Sequence, residues 1–102
     1  MNQQKVRLFI QQNGLESPPA YRLLDLTAEV GELAADATAS TQHGKEPEEI
    51  SIDTDEIGDA LFALLALADA LNVDADAALD EAIEKYEQRM HTSDAPSSGE
   101  GD

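Results

Sequence analysis

The run Ala60-Leu-Phe-Ala-Leu-Leu-Ala-Leu-Ala68 constrains the chain most: it is apolar without a break inside 102 residues that carry a formal charge of −16. As a helix such a run covers about 14 Å, roughly half of a bilayer's hydrocarbon thickness, so it is a core element and not a membrane span. Alanine and leucine favour the helix. A helix with no polar face must be covered on every side. A chain this short buries a modest share of its own apolar surface, so a second copy is the expected cover.

The charge excludes several classes of function. Six Lys and Arg stand against 22 Asp and Glu, and a grip on duplex nucleic acid or an anionic membrane needs clustered cations. With no cysteine, any metal must be held by oxygen or imidazole, and carboxylates in such number suit magnesium, with manganese as the other hard candidate. Residues 1–10 show no apolar signal segment, which points to the cytoplasm. Acidity spread over the whole chain, with short Ala-rich apolar positions, fits a halophilic protein, because concentrated salt screens self-repulsion.

Along the chain the pattern is all-α, with about four helices. Val6, Phe9 and Ile10 are spaced for a first helix that Gly14 ends. Ser17 before Pro18 and Pro19 reads as the cap of a second helix running to about Ala39. Leu26, Val30, Leu33 and Ala37 form its core stripe, and Asp25, Glu29, Glu32 and Asp36 repeat the same steps one residue earlier, turned by about 100°. Gly31, costly inside a helix, implies close approach of another backbone or a ligand. Residues 40–51 form a loop. Asp53 and Glu56 fit a capping pair for the third helix, which ends near Leu71. Asn72 and Asp74 mark a turn and a new cap, and the last helix puts Ala78, Leu79, Ala82, Ile83, Tyr86 and Met90 on one face, with Glu81 paired to Lys85 on the other. Residues 92–102 have almost nothing to bury and are expected to be disordered, which leaves residues 1–91 as the domain, with its core over about 17–91.

Glu29 with Glu32, and Glu56 with Asp59, are each spaced by three, so each pair projects from one helix face. Opposed across a bundle, the two pairs form a four-carboxylate cage for a hard cation, whose remaining positions suit substrate phosphates. Spacing alone leaves blander readings open. Glu29 and Glu32 can be a solvated face, and Glu56 the acceptor of a capping box. His43 and His91 stand apart and read as surface residues, an EF-hand at Asp53-Thr54-Asp55 fails at Ile57 and Leu64, and no phosphate loop is present.

The run Glu29-Val-Gly-Glu32-Leu-Ala, then residues 33–55, then Glu56-Ile-Gly-Asp59-Ala-Leu-Phe resembles the ExxE and ExxD signature of MazG-like nucleotide pyrophosphohydrolases. The likeness covers about Tyr21 to Arg89 and continues through Ala66 to Asp74 and Glu84 to Arg89. It implies an all-α bundle completed by oligomerisation, as a homodimer or homotetramer. Glu29, Glu32, Glu56 and Asp59 match the family's magnesium ligands and catalytic acids, and Lys85 and Arg89 match its basic pair near the substrate phosphates. A helix C-terminus complementing its dipole is the competing account of that basic pair. The extra glutamates with which many relatives begin the first motif are replaced here by Leu26, Thr27 and Ala28, and only Tyr21 and Phe62 stand in for a base-clamping aromatic.

The implied reaction is attack of water on the α-phosphorus of a nucleoside triphosphate, giving the monophosphate and pyrophosphate, with cleansing of the nucleotide pool as a cellular use. Phosphoribosyl-ATP pyrophosphatase, of the same fold and size, is the competitor within the class. A non-catalytic helical dimerisation module is the alternative from outside it.

Overall fold

The computed structural model describes residues 2–92, and the tail expected to be disordered lies outside them from residue 93 onward. Four helices, α1 (Asn2–Gln12), α2 (Pro19–Ser40), α3 (Thr54–Ala70) and α4 (Ala75–Thr92), carry the fold, with a short 3-10 turn at Pro47–Glu49. No strand occurs among the described residues, so the all-α expectation holds. Thr92 closes α4 instead of opening the tail. Among the described residues no helix is long and apolar enough to cross a membrane.

α1 ends as its glycine requires. Gly14 sits at φ +63°, its N–H reaches Gln11 O at 3.4 Å, and Leu15 N–H reaches Ile10 O at 3.0 Å. This is the Schellman closure, which needs a left-handed residue. Asn72 repeats it at the end of α3 with φ 59°, and Val73 N–H donates to Ala68 O at 2.8 Å. Asp74 then accepts from Ala77 N–H at 3.1 Å through Oδ1, so the predicted cap of α4 is in place.

Two predicted caps differ. Pro18, with ψ 151°, occupies the N-cap of α2 and makes no side-chain cap bond, so Ser17 lies one residue too early. A residue that precedes proline is held extended, and Pro18 precedes Pro19, so helical dihedrals begin at Pro19. Asp53 occupies the N-cap of α3 but its side chain does not cap. The capping box with Glu56 is therefore absent. The Glu56 N–H bonds the Asp53 backbone carbonyl, and the Glu56 carboxyl lies among the acids of α2.

The α2–α3 loop closes on side chains. The Ser40 hydroxyl donates to Asp36 O at 2.7 Å and accepts from Ser51 N–H at 2.9 Å. The Thr41 hydroxyl, which is buried, donates to Ala37 O at 2.6 Å and accepts from Gly44 N–H at 3.0 Å. This pins Ser51 beside the last turn of α2, so α3 starts next to Asp36 and runs back antiparallel.

The core is small. Val6 and Ile10 of α1 meet Leu65 and Ala66 of α3, with Phe62 and Ala75 packed against them. The rings of Phe9 and Phe62 meet edge to face at 5.9 Å. The Gln3 amide clasps the α3–α4 corner, donating to Val73 O and accepting from Ala75 N–H, both at 2.7 Å. Arg7 pairs with Asp69 at 2.7 Å, an exposed bridge of small net worth.

The predicted full cover of α3 is not supplied by one chain. Ala63, Leu65 and Ala66 are buried, whereas Leu64 is 49% exposed and Leu61 and Ile57 are similarly open. α4 has no buried residue, and its apolar face shows Leu79 at 58% and Met90 at 66%. In the core stripe of α2, Leu26, Leu33 and Ala37 are half-buried, but Val30 is 51% exposed. Gly31 also departs from expectation, since a Cβ there would meet nothing within 4 Å. The radius of gyration, 16.6 Å, exceeds the roughly 13 Å of a closed domain this long, and the thinnest extent is 23 Å.

Candidate active site

The antiparallel α2–α3 pair turns the acidic stripe into a seam. Along α2 the acids Asp25, Glu29, Glu32 and Asp36 recur once per turn, and α3 brings Asp59 beside the first two and Glu56 beside the last two. The order reverses between the helices, as antiparallel packing demands.

At the Asp59 end, Arg22, Asp25, Glu29, Asp59, Phe62 and Ala63 line a cleft of about 170 Å3. The proton affinity of the Glu29 carboxyl is raised from its ordinary value, first because it is partly buried and then because Glu32, Asp59 and Asp25 repel its charge. At the other end Glu56 is pushed up to about 7. The hydrogen bond of its carboxyl with Asp36 is the largest cause, followed by partial burial and by the charges of Asp36, Glu32 and Asp53. Its Oε1 is buried and has no hydrogen-bond partner. An orphaned acceptor inside a negative cluster calls for a proton or a cation.

The structure thus brings Glu29, Glu32, Glu56 and Asp59 to one interface. It does not close them into the expected cage: among the described residues no three acidic or imidazole groups are gathered closely enough to hold an ion as they stand. Like charges raise each other's proton affinity, and that repulsion adds to burial at Glu29 and to the Asp36 hydrogen bond and burial at Glu56. The donor set fits a hard divalent cation. It consists of carboxylate oxygens alone, two of its members hold protons unusually well, and one buried oxygen lacks a partner.

Lys85 and Arg89 lie elsewhere in the single chain. They flank the Tyr86 ring, with Lys85 Nζ 5.6 Å and Arg89 Cζ 5.9 Å from its centroid, and no α4 residue lines the carboxylate cleft. Lys85 is in no ion pair with Glu81. The basic pair expected near the substrate phosphates does not stand over the acids within one protomer, because α4 leaves the Asn72 corner and only its first residue, Ala75, packs against the core. His43 and His91 are exposed, as the sequence implies.

Three residues of the seam were not among the predicted ligands. Asp25 and Asp36 belong to the same stripe as Glu29 and Glu32, so period alone could have included them. Arg22 extends that stripe one turn upstream, and a lone basic residue in register with four acids was the available signal.

The family model of the MazG nucleotide pyrophosphohydrolase domain matches residues 19–93, which take in the whole of α2, α3 and α4. The chain belongs to that family of all-α nucleotide pyrophosphohydrolases. It is also 34% identical over 75 residues to a Bacillus subtilis (strain 168) protein described as the uncharacterized protein YpjD, a match covering 70% of this chain and 66% of that one. No solved structure matches it.

Proposed function

We propose that this protein is a magnesium-dependent nucleoside triphosphate pyrophosphohydrolase that cleaves ribo- or deoxyribonucleoside triphosphates to the monophosphate and pyrophosphate. The observation that carries the reading is the α2–α3 seam, where the family's four acids face one another and the buried Glu56 Oε1 stands without a partner. Glu29, Glu32, Glu56 and Asp59 would hold the cation, magnesium or manganese. Bound there, it neutralises phosphate oxygens and lowers the pKa of water.

The chain's own residues do the rest. The water oxygen forms its bond to the α-phosphorus as the bond to the departing pyrophosphate breaks, and a carboxylate of the seam takes the water's proton. Partial burial of Glu29 and Glu56 strengthens the electrostatics around the reacting phosphate by thinning the water there. Phe62, which lines the cleft, would be the aromatic that meets the nucleotide, whereas Tyr21 is 61% exposed. Lys85 and Arg89 would meet phosphates in an assembly that brings α4 over a seam.

Such an assembly is part of the proposal, as a homodimer or homotetramer. Leu61, Leu64 and Leu71 of the α3 end, with Leu79 of α4, line an open apolar groove of about 530 Å3. A further copy is the cover of matching chemistry, since it presents the same stripe. The cellular setting we propose is the cytoplasm, with removal of unwanted nucleotides as the task. Incubation with a panel of triphosphates and magnesium, followed by measurement of pyrophosphate, tests the reading. Stoichiometric monophosphate and pyrophosphate are expected. Absence of release from every triphosphate, with no magnesium binding, would leave a non-catalytic assembly module as the better account of the apolar groove.

A further inference from the structure

Arg22 is 9% exposed, while the other described Lys and Arg residues are exposed or half-exposed. Burying a guanidinium is costly unless its charge and its donors are used. One donor is accounted for: Nη2 donates to the Leu15 carbonyl, in the link that follows Gly14. A tie to one carbonyl needs no charge, and a neutral amide would make it at lower cost. Arg22 nevertheless shares the cleft with Asp25, Glu29 and Asp59 and forms an ion pair with none of them. A rigid fork of five N–H donors is therefore stationed in a cleft with carboxylates that it does not ion-pair.

We propose that Arg22 is a substrate-phosphate contact, its guanidinium gripping the phosphate chain of a nucleotide that enters the cleft between α2 and α3. The assignment rests on the polyphosphate-cleaving reading above. A planar fork matches phosphate oxygens two at a time, as a lysine cannot. The carboxylates repel a bare polyanion, so the phosphate chain that Arg22 meets is one arriving with its divalent cation. Because the Leu15 carbonyl already holds the guanidinium, binding freezes little additional side-chain motion.

Two effects of opposite sign separate this role from a purely structural one. Loss of the cation removes a repulsion felt by bare magnesium at the carboxylates, whereas loss of the fork removes a grip on phosphate. Calorimetric titration of wild type, Arg22→Gln and Arg22→Lys with magnesium alone, and then with inorganic tripolyphosphate in excess magnesium, reads both. For Arg22→Gln, tripolyphosphate is expected to bind about tenfold or more weakly, the weight of a charge-assisted hydrogen bond. Magnesium alone should bind as tightly as to wild type or more so. Arg22→Lys should fall between.

If Arg22→Gln is unfolded at the assay temperature, Arg22→Lys decides by the same pair of titrations. Unchanged tripolyphosphate affinity in the folded variant overturns the assignment. So does a parallel loss of magnesium and tripolyphosphate binding, which marks Arg22 as a structural tie. Nucleotide turnover keeps this proposal distinct from the one beneath it. Wild type that binds magnesium tripolyphosphate through Arg22 but cleaves no nucleotide retains the contact and loses the enzyme. Normal pyrophosphate release by Arg22→Gln retains the enzyme and loses the contact.

Discussion

The α2–α3 seam and the α3–α4 groove are unfinished in opposite ways. In the seam, carboxylates that prefer water crowd one another, with Glu29, Asp36 and Glu56 half-buried, and Glu56 keeps its proton up to about 7. In the groove, leucines that prefer a core are about half exposed. Each region needs what the other has no use for, the seam a cation and the groove an apolar surface. The same helix, α3, serves both: its first two turns carry Glu56 and Asp59, and its last two carry Leu64 and Leu67, with Leu71 at its C-cap. One protomer therefore leaves polar and apolar demands open at the two ends of a single helix.

The sharpest way to separate the regions is to remove one seam acid at a time. Glu29→Gln, Glu32→Gln, Glu56→Gln and Asp59→Asn are each expected to cut pyrophosphate release by about 100-fold or more, at or beyond the effect of losing an outer partner of a metal ligand. Light scattering of these variants should show the assembly state of wild type. A groove variant, Leu64→Glu, should do the reverse, driving the protein toward monomer because each well-buried leucine contributes about 1.5 to 3 kcal/mol. If Leu64→Glu stays assembled, the groove is not the contact between copies.

A third comparison uses pH. The folded Glu56 carboxyl titrates near 7, above its ordinary 4.5, so between these values the folded state binds more protons than the unfolded chain. Its stabilisation is fully present below the lower value and is lost as pH rises through the upper one. Thermal melts with chelator should thus show a drop from about pH 5 to about pH 8 that is larger in wild type than in Glu56→Gln. Magnesium should oppose the drop, and its affinity should weaken as pH falls through about 7, because proton and cation compete for the same oxygens. Equal slopes in wild type and Glu56→Gln would show that the Glu56 proton is not held by the fold.

The smallest effect concerns the face of α2 beyond both regions. Gly31→Ala is expected to stabilise the protein by about 1 kcal/mol, since nothing in the protomer meets the added methyl and alanine is the better helix former. Chemical denaturation measures it. A destabilised Gly31→Ala would mean that a ligand or another copy approaches that face after all.

Much of this was legible in advance. The steps of four, three and four that place Asp25 to Asp36 on one stripe, the turns at Gly14 and Asn72, and the Asp74 cap are matters of neighbours within a turn or two, and they stand where the pattern put them. The ExxE and ExxD pairs were legible as motifs, and the family match extends over the same helices. Ser17 and the Asp53–Glu56 box were misplaced for a related reason. A cap motif reports what a side chain is able to do, and at both sites something stronger decided, the Pro18–Pro19 restriction in one case and the acids of α2 in the other.

The sequence by itself determined the helices, their two faces and the residue types available for chemistry, because backbone preference and helical period act over a few neighbouring residues. Only the tertiary structure decided that Glu56 meets Asp36, that Asp59 meets Glu29, that Arg22 is buried beside them and that α4 stands away. Those outcomes depend on burial and on Coulomb interactions between side chains tens of residues apart, and these act only after the loop tied through Ser40 and Ser51 has set one helix against the other.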